Sequence, residues 1–242
     1  MPDDKLKFEI RKNHRITFLT GAGISAESGV PTFRGEKGLW ERFDAQKLAT
    51  VEGFEEDPVT AWEWYDLRRT QIAGLKPNHA HETIAALERN GYDVVIITQN
   101  IDNFHREAGN RNVLELHGNI WKVRCTRGCG IWEDRTAPMP HLPPACACGS
   151  LIRPHVVWFG EMLDEMIVGA AYGRLFETDL CVIVGTSGTV YPAAGFPEIA
   201  KSAGAYVVEV NLEPTPISYV ADEKHLGKCG EILPLLFQDY LT

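Results

Sequence analysis

Short apolar segments recur along this chain with helical patterns between them, and this alternation limits the fold more than any other feature. Three of the five segments are apolar at consecutive positions, which is typical of parallel strands covered on both faces. Strands that alternate with helices predict a doubly wound α/β sheet. The segments are residues 15–20, 93–98, 112–116, 179–186 and 205–212, and the helical patterns cover 79–91, 161–178 and 196–204.

Two stretches depart from this alternation. Residues 36–77 contain no convincing strand but do contain an aromatic helical pattern over 60–73, and residues 122–152 contain four cysteines with several prolines between them. The second stretch is typical of a loop and a metal knuckle rather than a packed core. We therefore expect a smaller helical and zinc-binding domain from residues 36–77 and 122–152, beside a Rossmann-like domain from residues 1–35, 78–121 and 153–242.

The composition limits partners and location. A formal charge of -9 lacks the basic footprint of a general nucleic-acid binder, so we expect no nucleic-acid partner. No apolar run reaches the roughly 18 residues that cross a bilayer, and the first residues lack an apolar export segment. We expect a cytoplasmic location with no membrane partner, where metal binding is favoured over disulfides for the four clustered cysteines of the six.

A glycine-rich turn follows the first predicted strand. Gly21, Gly23 and Ala26 match the pattern G-x-G-x-x-G/A, whose glycines let a backbone approach a pyrophosphate. The next strand should follow within a unit of about 30 residues and end in an acid, but none occurs before residue 93. From these residues alone, a dinucleotide site of unusual connectivity and a purely structural turn both remain open.

Further motifs make the pattern more specific. GAGISAESGVPTFRG, TQNID, LHG, VVWFGE, GTS and NLEP occur in this order, and together they resemble the sirtuins, the NAD-dependent protein deacylases. The resemblance covers about residues 14 to 240. It implies that NAD is consumed as a co-substrate and that acylated lysine side chains of proteins are deacylated, releasing nicotinamide and O-acyl-ADP-ribose.

His117 follows an apolar strand and precedes Gly118, at a strand end where α/β proteins place their ligands. An imidazole there suits general-base catalysis near neutral pH, and the resemblance implies that His117 takes a proton from a ribose hydroxyl, with Asn100 as the second catalytic residue. Structural roles are expected for His14, His79, His81, His141 and His225. The NAD-binding residues implied by the resemblance are Gly21, Ala22, Gly23, Ser25, Ala26, Thr32, Phe33, Arg34, Gln99, Asn100, Ile101, Asp102, Gly185, Thr186, Ser187, Asn211, Glu213 and Cys229.

Tyr65 and Arg68 lie three residues apart, so a helix places them on one face. The spacing alone favours an amphipathic helix with a solvated arginine, and the adjacent Arg69 keeps that interpretation. Sirtuins that remove malonyl and succinyl groups carry Tyr-x-x-Arg in this region. The resemblance to that bacterial class therefore implies desuccinylase and demalonylase activity beside deacetylase activity, with an Arg fork and a Tyr hydroxyl on the acyl carboxylate.

The run VVWFGE is β-prone and by itself predicts a buried strand over residues 156–161. In sirtuins the equivalent run pairs with the substrate peptide through main-chain hydrogen bonds, a form of strand addition. The substrate-binding residues implied here are Val156, Val157, Phe159, Gly160 and Glu161.

Four cysteines form two close pairs, Cys125 with Cys129 and Cys146 with Cys148. Four thiolates suffice for a closed, structural zinc site. The spacings of three and one intervening residues depart from the usual two, which leaves open whether all four bind one ion. Cys181, inside a predicted strand, is expected to be a buried hydrophobic residue.

Three other functions compete with deacylation. Protein ADP-ribosylation uses the same fold and would label an acceptor protein. An NAD-linked dehydrogenase is disfavoured because the second strand and its acid are missing, and His117 argues against a non-catalytic NAD-binding or zinc-binding module. We expect a monomer.

Overall fold

The structure is a computed structural model that describes residues 5–32 and 45–241. Nine strands lie within these residues and form two sheets. The strands are β1 (Arg15–Thr20), β2 (Asp93–Thr98), β3 (Val113–Glu115), β4 (Gly118–Cys125), β5 (Ile131–Glu133), β6 (Ile152–Val156), β7 (Leu180–Val184), β8 (Tyr206–Asn211) and β9 (Glu223–Leu226).

Six strands form one parallel sheet in the order β3-β2-β1-β7-β8-β9, called here the large sheet. Alternate residues of each strand enter opposite cores because successive side chains point to opposite faces. Leu19 pairs in register with Ile97 and Ile183, and all three pack on one face. Phe18, next along β1, packs on the other face with Val182.

Helices cover both faces of the large sheet, which confirms the predicted fold class. The helices in the described part of the chain are α1 (Gly23–Ala26), α2 (Ala45–Leu48), α3 (Val51–Glu56), α4 (Pro58–Ala73), α5 (His79–Arg89), α6 (Phe104–Ala108), α7 (Glu165–Phe176), α8 (Phe196–Ser202) and α9 (Cys229–Phe237), with 3₁₀ turns at Ala193–Gly195 and Gln238–Tyr240. One face of the large sheet packs against α5 and α9, and the other against α7 and α8.

The other three strands form an antiparallel sheet in the order β5-β4-β6, called here the small sheet. Val123 and Ile152 from this sheet are buried against Trp62 and Tyr65 of α4. The expectation that residues 122–152 form loop rather than packed core is therefore wrong at both ends of that stretch. The sequence boundaries 121/122 and 152/153 fall inside β4 and β6, so both strands cross the predicted domain limits.

Two local differences from the predicted elements have visible causes. The helix expected over 161–178 begins only at Glu165, because the Asp164 carboxylate caps it by accepting from Met166 N at 2.9 Å and Ile167 N at 3.2 Å. The strand expected over 156–161 ends at Val156. Beyond it the chain turns, with Gly160 at a φ of 85°.

Candidate functional site

The loops after β1, β2, β7 and β8 meet at the carboxyl edge of the large sheet and hydrogen-bond to one another. Gln99 Nε2 donates to Thr186 Oγ1 at 2.9 Å, and Asn211 Nδ2 donates to Thr186 O at 2.7 Å. Asn100 Nδ2 donates to Gly21 O at 3.0 Å. Four separate segments of predicted NAD-binding residues are thereby brought together.

Glycines of the first loop pack directly on the loop after β7. A Cβ added to Gly23 would lie 2.7 Å from Gly185 Cα, and one added to Gly185 would lie 2.3 Å from Ile24 N. Gly23 N also donates to Gly185 O at 2.7 Å. The helix after this turn, α1, has only four residues. These glycines are required by the contact between the two loops, which is a structural reason beyond the approach of a pyrophosphate.

Ser25, Asn100 and Asp102 form a buried polar cluster behind this edge. Ser25 Oγ donates to Asp102 Oδ2 at 2.7 Å, and Asn100 Nδ2 donates to Ser25 Oγ at 3.2 Å. Asp102 also accepts from Phe104 N at 2.9 Å. Burial raises the pKa of Asp102 while these hydrogen bonds oppose the rise.

Two buried histidines lie behind the same cluster. His81 Nε2 lies 3.5 Å from Ser25 Oγ, and His105 Nε2 lies 2.9 Å from Thr20 Oγ1. Burial lowers the pKa of His81 to about 3 and lowers that of His105 well below its usual value, so both rings are neutral near pH 7. His105 was not singled out from the sequence, because no spacing links it to β1.

His117 lies half-buried at the carboxyl end of β3, and its Nδ1 lies 2.9 Å from Gln99 O. A carbonyl only accepts, so Nδ1 carries the proton and Nε2 has a free lone pair. Burial lowers the pKa of His117, and the bond to Gln99 opposes that shift. Gly118 follows with a φ of 78°, and its added Cβ would lie 2.2 Å from His155 O, so only glycine allows this turn into β4.

Tyr65 and Arg68 share one face of α4, as their spacing predicts. The Arg68 guanidinium lies 4.9 Å from the Trp64 ring centroid and 5.9 Å from that of Tyr65. Tyr65 is buried, and burial raises its pKa to about 12, so its hydroxyl keeps its proton. A tyrosine with a protonated hydroxyl and a guanidinium therefore lie near each other on this face of α4.

Arg69 is buried, so its interpretation from the sequence as a solvated arginine is wrong. Its side chain is 0% exposed and pairs with Asp134, with Nη2 to Oδ1 at 3.0 Å. The guanidinium also lies over the rings of Trp62 and Trp121, at 5.9 and 5.4 Å. Spacing alone could not reveal this, because Asp134 lies 65 residues away.

The VVWFGE run lies between His117 and helix α4. Val157 N donates to His117 O at 2.9 Å, and Phe159 N donates to Ala49 O at 2.8 Å. Phe159 is 55% exposed, whereas Trp158 is buried and donates from Nε1 to Tyr65 Oη at 2.8 Å. Trp158 was not among the residues chosen from the sequence, although it stands inside the motif.

The four clustered cysteines converge at one point, with their sulfurs all within 4.8 Å of one another. Cys125 Sγ and Cys148 Sγ are 3.6 Å apart, close to the roughly 3.8 Å expected for two thiolates about 2.3 Å from one tetrahedral zinc. The donor set and its geometry fit a single structural Zn²⁺. The unusual spacings of the two pairs are thus compatible with one ion.

The remaining predicted residues are scattered around the edge. Thr32 is half-buried, Ser187 Oγ lies 2.9 Å from Thr189 Oγ1, and Ile101 O accepts from Ile120 N. Cys229 begins α9 and is buried, as is Cys181 in β7, and Glu213 is exposed. Phe33 and Arg34 lie outside the described residues.

Among the helices of the described chain, none combines the length and apolar character that crossing a bilayer requires.

Comparisons with known proteins agree on one family. The model of the Sir2 family matches residues 21–192. An NAD-dependent protein deacylase from Aquifex aeolicus (strain VF5) is 48% identical over 231 residues, which cover 95% of this chain and 96% of the relative.

Two solved structures are similar over nearly the whole chain. The crystal structure of a Sir2 homolog–NAD complex has a TM-score of 0.89 and 43% identity, and covers 94% of this chain and 91% of that chain. A structure described as Sir2–p53 peptide–NAD⁺ has a TM-score of 0.81 and 34% identity, and covers 93% of this chain and 92% of that chain.

Proposed function

This chain belongs to the Sir2 family, and on that premise we propose that it is an NAD-dependent protein-lysine deacylase acting on acetyl, succinyl and malonyl groups. The observation that carries the proposal is the placement of His117. Its Nδ1 is held by Gln99 O, and its backbone oxygen is bonded to the VVWFGE run. A proton acceptor therefore lies between the strand ends and the proposed peptide site.

The carboxyl edge of the large sheet would hold NAD. The relative solved as an NAD complex supports this assignment at 43% identity. When bound, NAD supplies nicotinamide as the leaving group and a ribose as the acyl acceptor, with O-acyl-ADP-ribose as the product. The residues that would bind it are those predicted from the sequence, and Gln99, Asn100, Thr186 and Asn211 offer amide and hydroxyl groups at this edge, with the Asp102 carboxylate buried behind them.

His117 would hold and move the proton. Its neutral Nε2 accepts a proton, while the bond from Nδ1 to Gln99 O fixes the ring and stabilises the charged form after transfer. Asn100 is held by Gly21 O and Ser25 Oγ, so its side chain keeps one orientation in the site. Positioning of this kind lowers the entropy cost of the reaction.

The acyl group would lie against α4. An acidic acyl group ends in a carboxylate, which the Arg68 guanidinium can pair with while the Tyr65 hydroxyl donates a further hydrogen bond. An acetyl group is smaller and fits the same space without these contacts. The shared face of Tyr65 and Arg68 supports removal of both acyl classes.

The substrate peptide would pair with main-chain groups of the VVWFGE run, where Phe159 and Gly160 are exposed. Val157 and Phe159 bond through their N–H groups to His117 and Ala49. Strand addition depends on main-chain groups, so many flanking sequences are acceptable. The solved Sir2–p53 peptide–NAD⁺ relative supports protein substrates for this chain.

A zinc ion bound by the four cysteines would be structural, since four protein ligands leave no open position for chemistry. It would hold the turn after β4 to the segment before β6. A cytoplasmic location, a monomeric state and the lack of a nucleic-acid partner stay predictions of the sequence.

His117→Ala tests the proposal. We expect the rate of deacylation to fall by about a hundredfold or more, because the proton acceptor is lost. The measurement follows acyl-peptide mass and O-acyl-ADP-ribose together. His79→Ala is the matched control, since the His79 side chain is exposed on α5 and pairs with Glu82. Undiminished activity of the His117 variant would overturn the role of His117, and ADP-ribose on the protein without O-acyl-ADP-ribose would favour ADP-ribosyl transfer.

A further inference from the structure

A buried arginine lies over the indole ring of Trp158. The Arg153 guanidinium carbon is 3.2 Å from the Trp158 ring centroid, and the Arg153 side chain is only 7% exposed. Arg153 stands on β6, before the VVWFGE run, and no motif includes it. A planar guanidinium that stacks on an aromatic face fixes that face in one orientation.

Glu161 holds this arginine with both carboxylate oxygens. Arg153 Nη1 donates to Oε1 at 2.7 Å, and Nη2 donates to Oε2 at 2.8 Å. Oε2 also accepts from Trp158 N at 2.9 Å, and Oε1 accepts from Arg124 Nη2 at 2.8 Å. Glu161 was chosen from the sequence as a substrate-binding residue, but its oxygens already have four hydrogen bonds within the protein.

Trp158 in turn holds Tyr65. The indole N–H can only donate, so the Tyr65 oxygen accepts this bond at 2.8 Å. Trp158 is buried between Arg153 and Phe54, with the Phe54 ring centroid at 5.1 Å. Because one lone pair of Tyr65 is used in this way, the direction left for its own O–H is restricted.

We propose that Arg153 is a specificity-positioning residue, which through Trp158 keeps the Tyr65 hydroxyl proton available to the carboxylate of an acidic acyl group. This inference rests on the proposed function, in particular on the removal of succinyl groups. The chain of contacts runs from Glu161 to Arg153, then to Trp158 and Tyr65. Arg153 itself would touch neither the acyl group nor NAD.

The contacts predict a difference between two acyl groups. A succinyl group ends in a carboxylate and needs the directed hydroxyl, whereas an acetyl group has no such charge to bind. A misplaced Trp158 should therefore weaken succinyl-peptide binding more than acetyl-peptide binding. The loss should fall mainly on KM, because the hydroxyl binds a part of the substrate that does not react.

Arg153→Lys tests the inference, since lysine keeps the charge but has neither the fork nor the flat face. We expect kcat/KM for a succinyl-lysine peptide to fall about tenfold, mostly through KM, and that for the acetyl-lysine version of the same peptide to fall less than about threefold. Arg124→Lys is the matched control. It alters another bond to Glu161 without touching Trp158, so both substrates should change by less than about threefold.

A second variant covers the case in which Arg153→Lys folds poorly. Trp158→Phe keeps an aromatic face for Arg153 but lacks the N–H donor, and we expect the same preferential loss with the succinyl peptide. In a Tyr65→Phe background the hydroxyl is absent, so Arg153→Lys should change kcat/KM for the two peptides by the same factor.

The outcomes separate the inference from the function it rests on. If the wild-type protein removes succinyl groups and Arg153→Lys lowers both activities equally, the inference is overturned while the proposed function stands. Persistence of the selective loss in the Tyr65→Phe background would overturn it as well. If the wild-type protein removes acetyl groups alone, the proposed succinyl activity fails and this inference fails with it.

Discussion

The large sheet and the small sheet contribute the two halves of the site, and they are stabilised by different interactions. In the large sheet, β1 and β7 are apolar strands with parallel partners on both sides, and β7 is buried over its whole length. The small sheet packs against α4 and is accompanied by the buried cations Arg69 and Arg153 and a cluster of four cysteines. A hydrogen-bonded ladder stabilises the proposed NAD-binding half, whereas individual polar contacts stabilise the proposed acyl-binding half.

This difference indicates where each kind of change should act. Substitutions at the strand ends should alter the chemistry for every acyl group. Substitutions around α4 and the small sheet should alter stability or the choice of acyl group. The predictions below test this separation, beginning with the largest effect.

Loss of the metal should destroy the small sheet and spare the large one. We expect Cys148→Ser, or treatment with a strong chelator, to remove zinc, to abolish deacylation and to open residues 126–151 to protease, because the folding of such sites depends on metal binding. Zinc content, activity and limited proteolysis would be measured on the same samples. Cys181→Ser is the control for thiol loss outside the cluster, and full activity in a zinc-free sample would contradict the prediction.

Arg69→Met should destabilise the protein by about 3 kcal/mol, because it removes two charge-assisted hydrogen bonds from the buried guanidinium to Asp134. The measurement is urea unfolding. Arg135→Met is the matched control, since Arg135 lies over the same Trp121 ring at 5.4 Å but is 47% exposed, and its loss should cost at most about 1 kcal/mol. Equal costs for the two variants would show that burial of Arg69 is energetically unimportant.

Gly185→Ala should cost about 3 kcal/mol of unfolding free energy. Its Cβ would meet the backbone of the first loop at 2.3 Å, and its φ of 58° disfavours a side chain. Gly149→Ala has a φ of 81° but no atom within 4 Å, so it should cost only about 1 kcal/mol. If both cost the same, backbone strain alone explains the glycines, and the contact between the loops does not matter.

The pH dependence should be the smallest effect and should separate the two regions again. The depressed pKa of His117 means that the ring stays neutral below pH 6.5 and that activity is lost only as pH falls through this lowered value. We expect kcat/KM at pH 6.5 to stay within about twofold of its value at pH 7.5. The succinyl-to-acetyl ratio should be flat from pH 7 to about 10, because the pKa of Tyr65 is about 12. A fall in activity centred at pH 6.5 or above would contradict the assignment.

The sequence predicted five of the six strands of the large sheet and missed β9, and it predicted the small sheet poorly, for a physical reason. Predicted strands 15–20 and 93–98 match β1 and β2 at every residue, because apolar residues on both faces leave a strong local signal. β4 and β6 owe their burial to the aromatic side chains of α4, which is distant in sequence. Local pattern could not report that contact.

The site shows the same division. The motifs identified His117, Gln99, Asn100 and Thr186, and all of them lie at strand ends, where the topology brings loops together. Arg69 was interpreted as solvated, and Arg153 and Trp158 were not chosen at all. Their partners lie 65, 8 and 93 residues away, so only the folded chain reveals the pairs.

We propose that one half of the site performs the chemistry and that the other half selects the acyl group. The most direct test is an assay with NAD on acetyl-lysine and succinyl-lysine versions of one peptide, comparing wild type with the double variant Tyr65→Phe, Arg68→Met and following peptide mass and O-acyl-ADP-ribose. We predict that wild type removes both groups. In the double variant the succinyl activity should fall about a hundredfold, while the acetyl activity falls far less. Equal loss of both activities, or removal of acetyl groups alone by the wild-type protein, would contradict this division of roles between the two halves of the site.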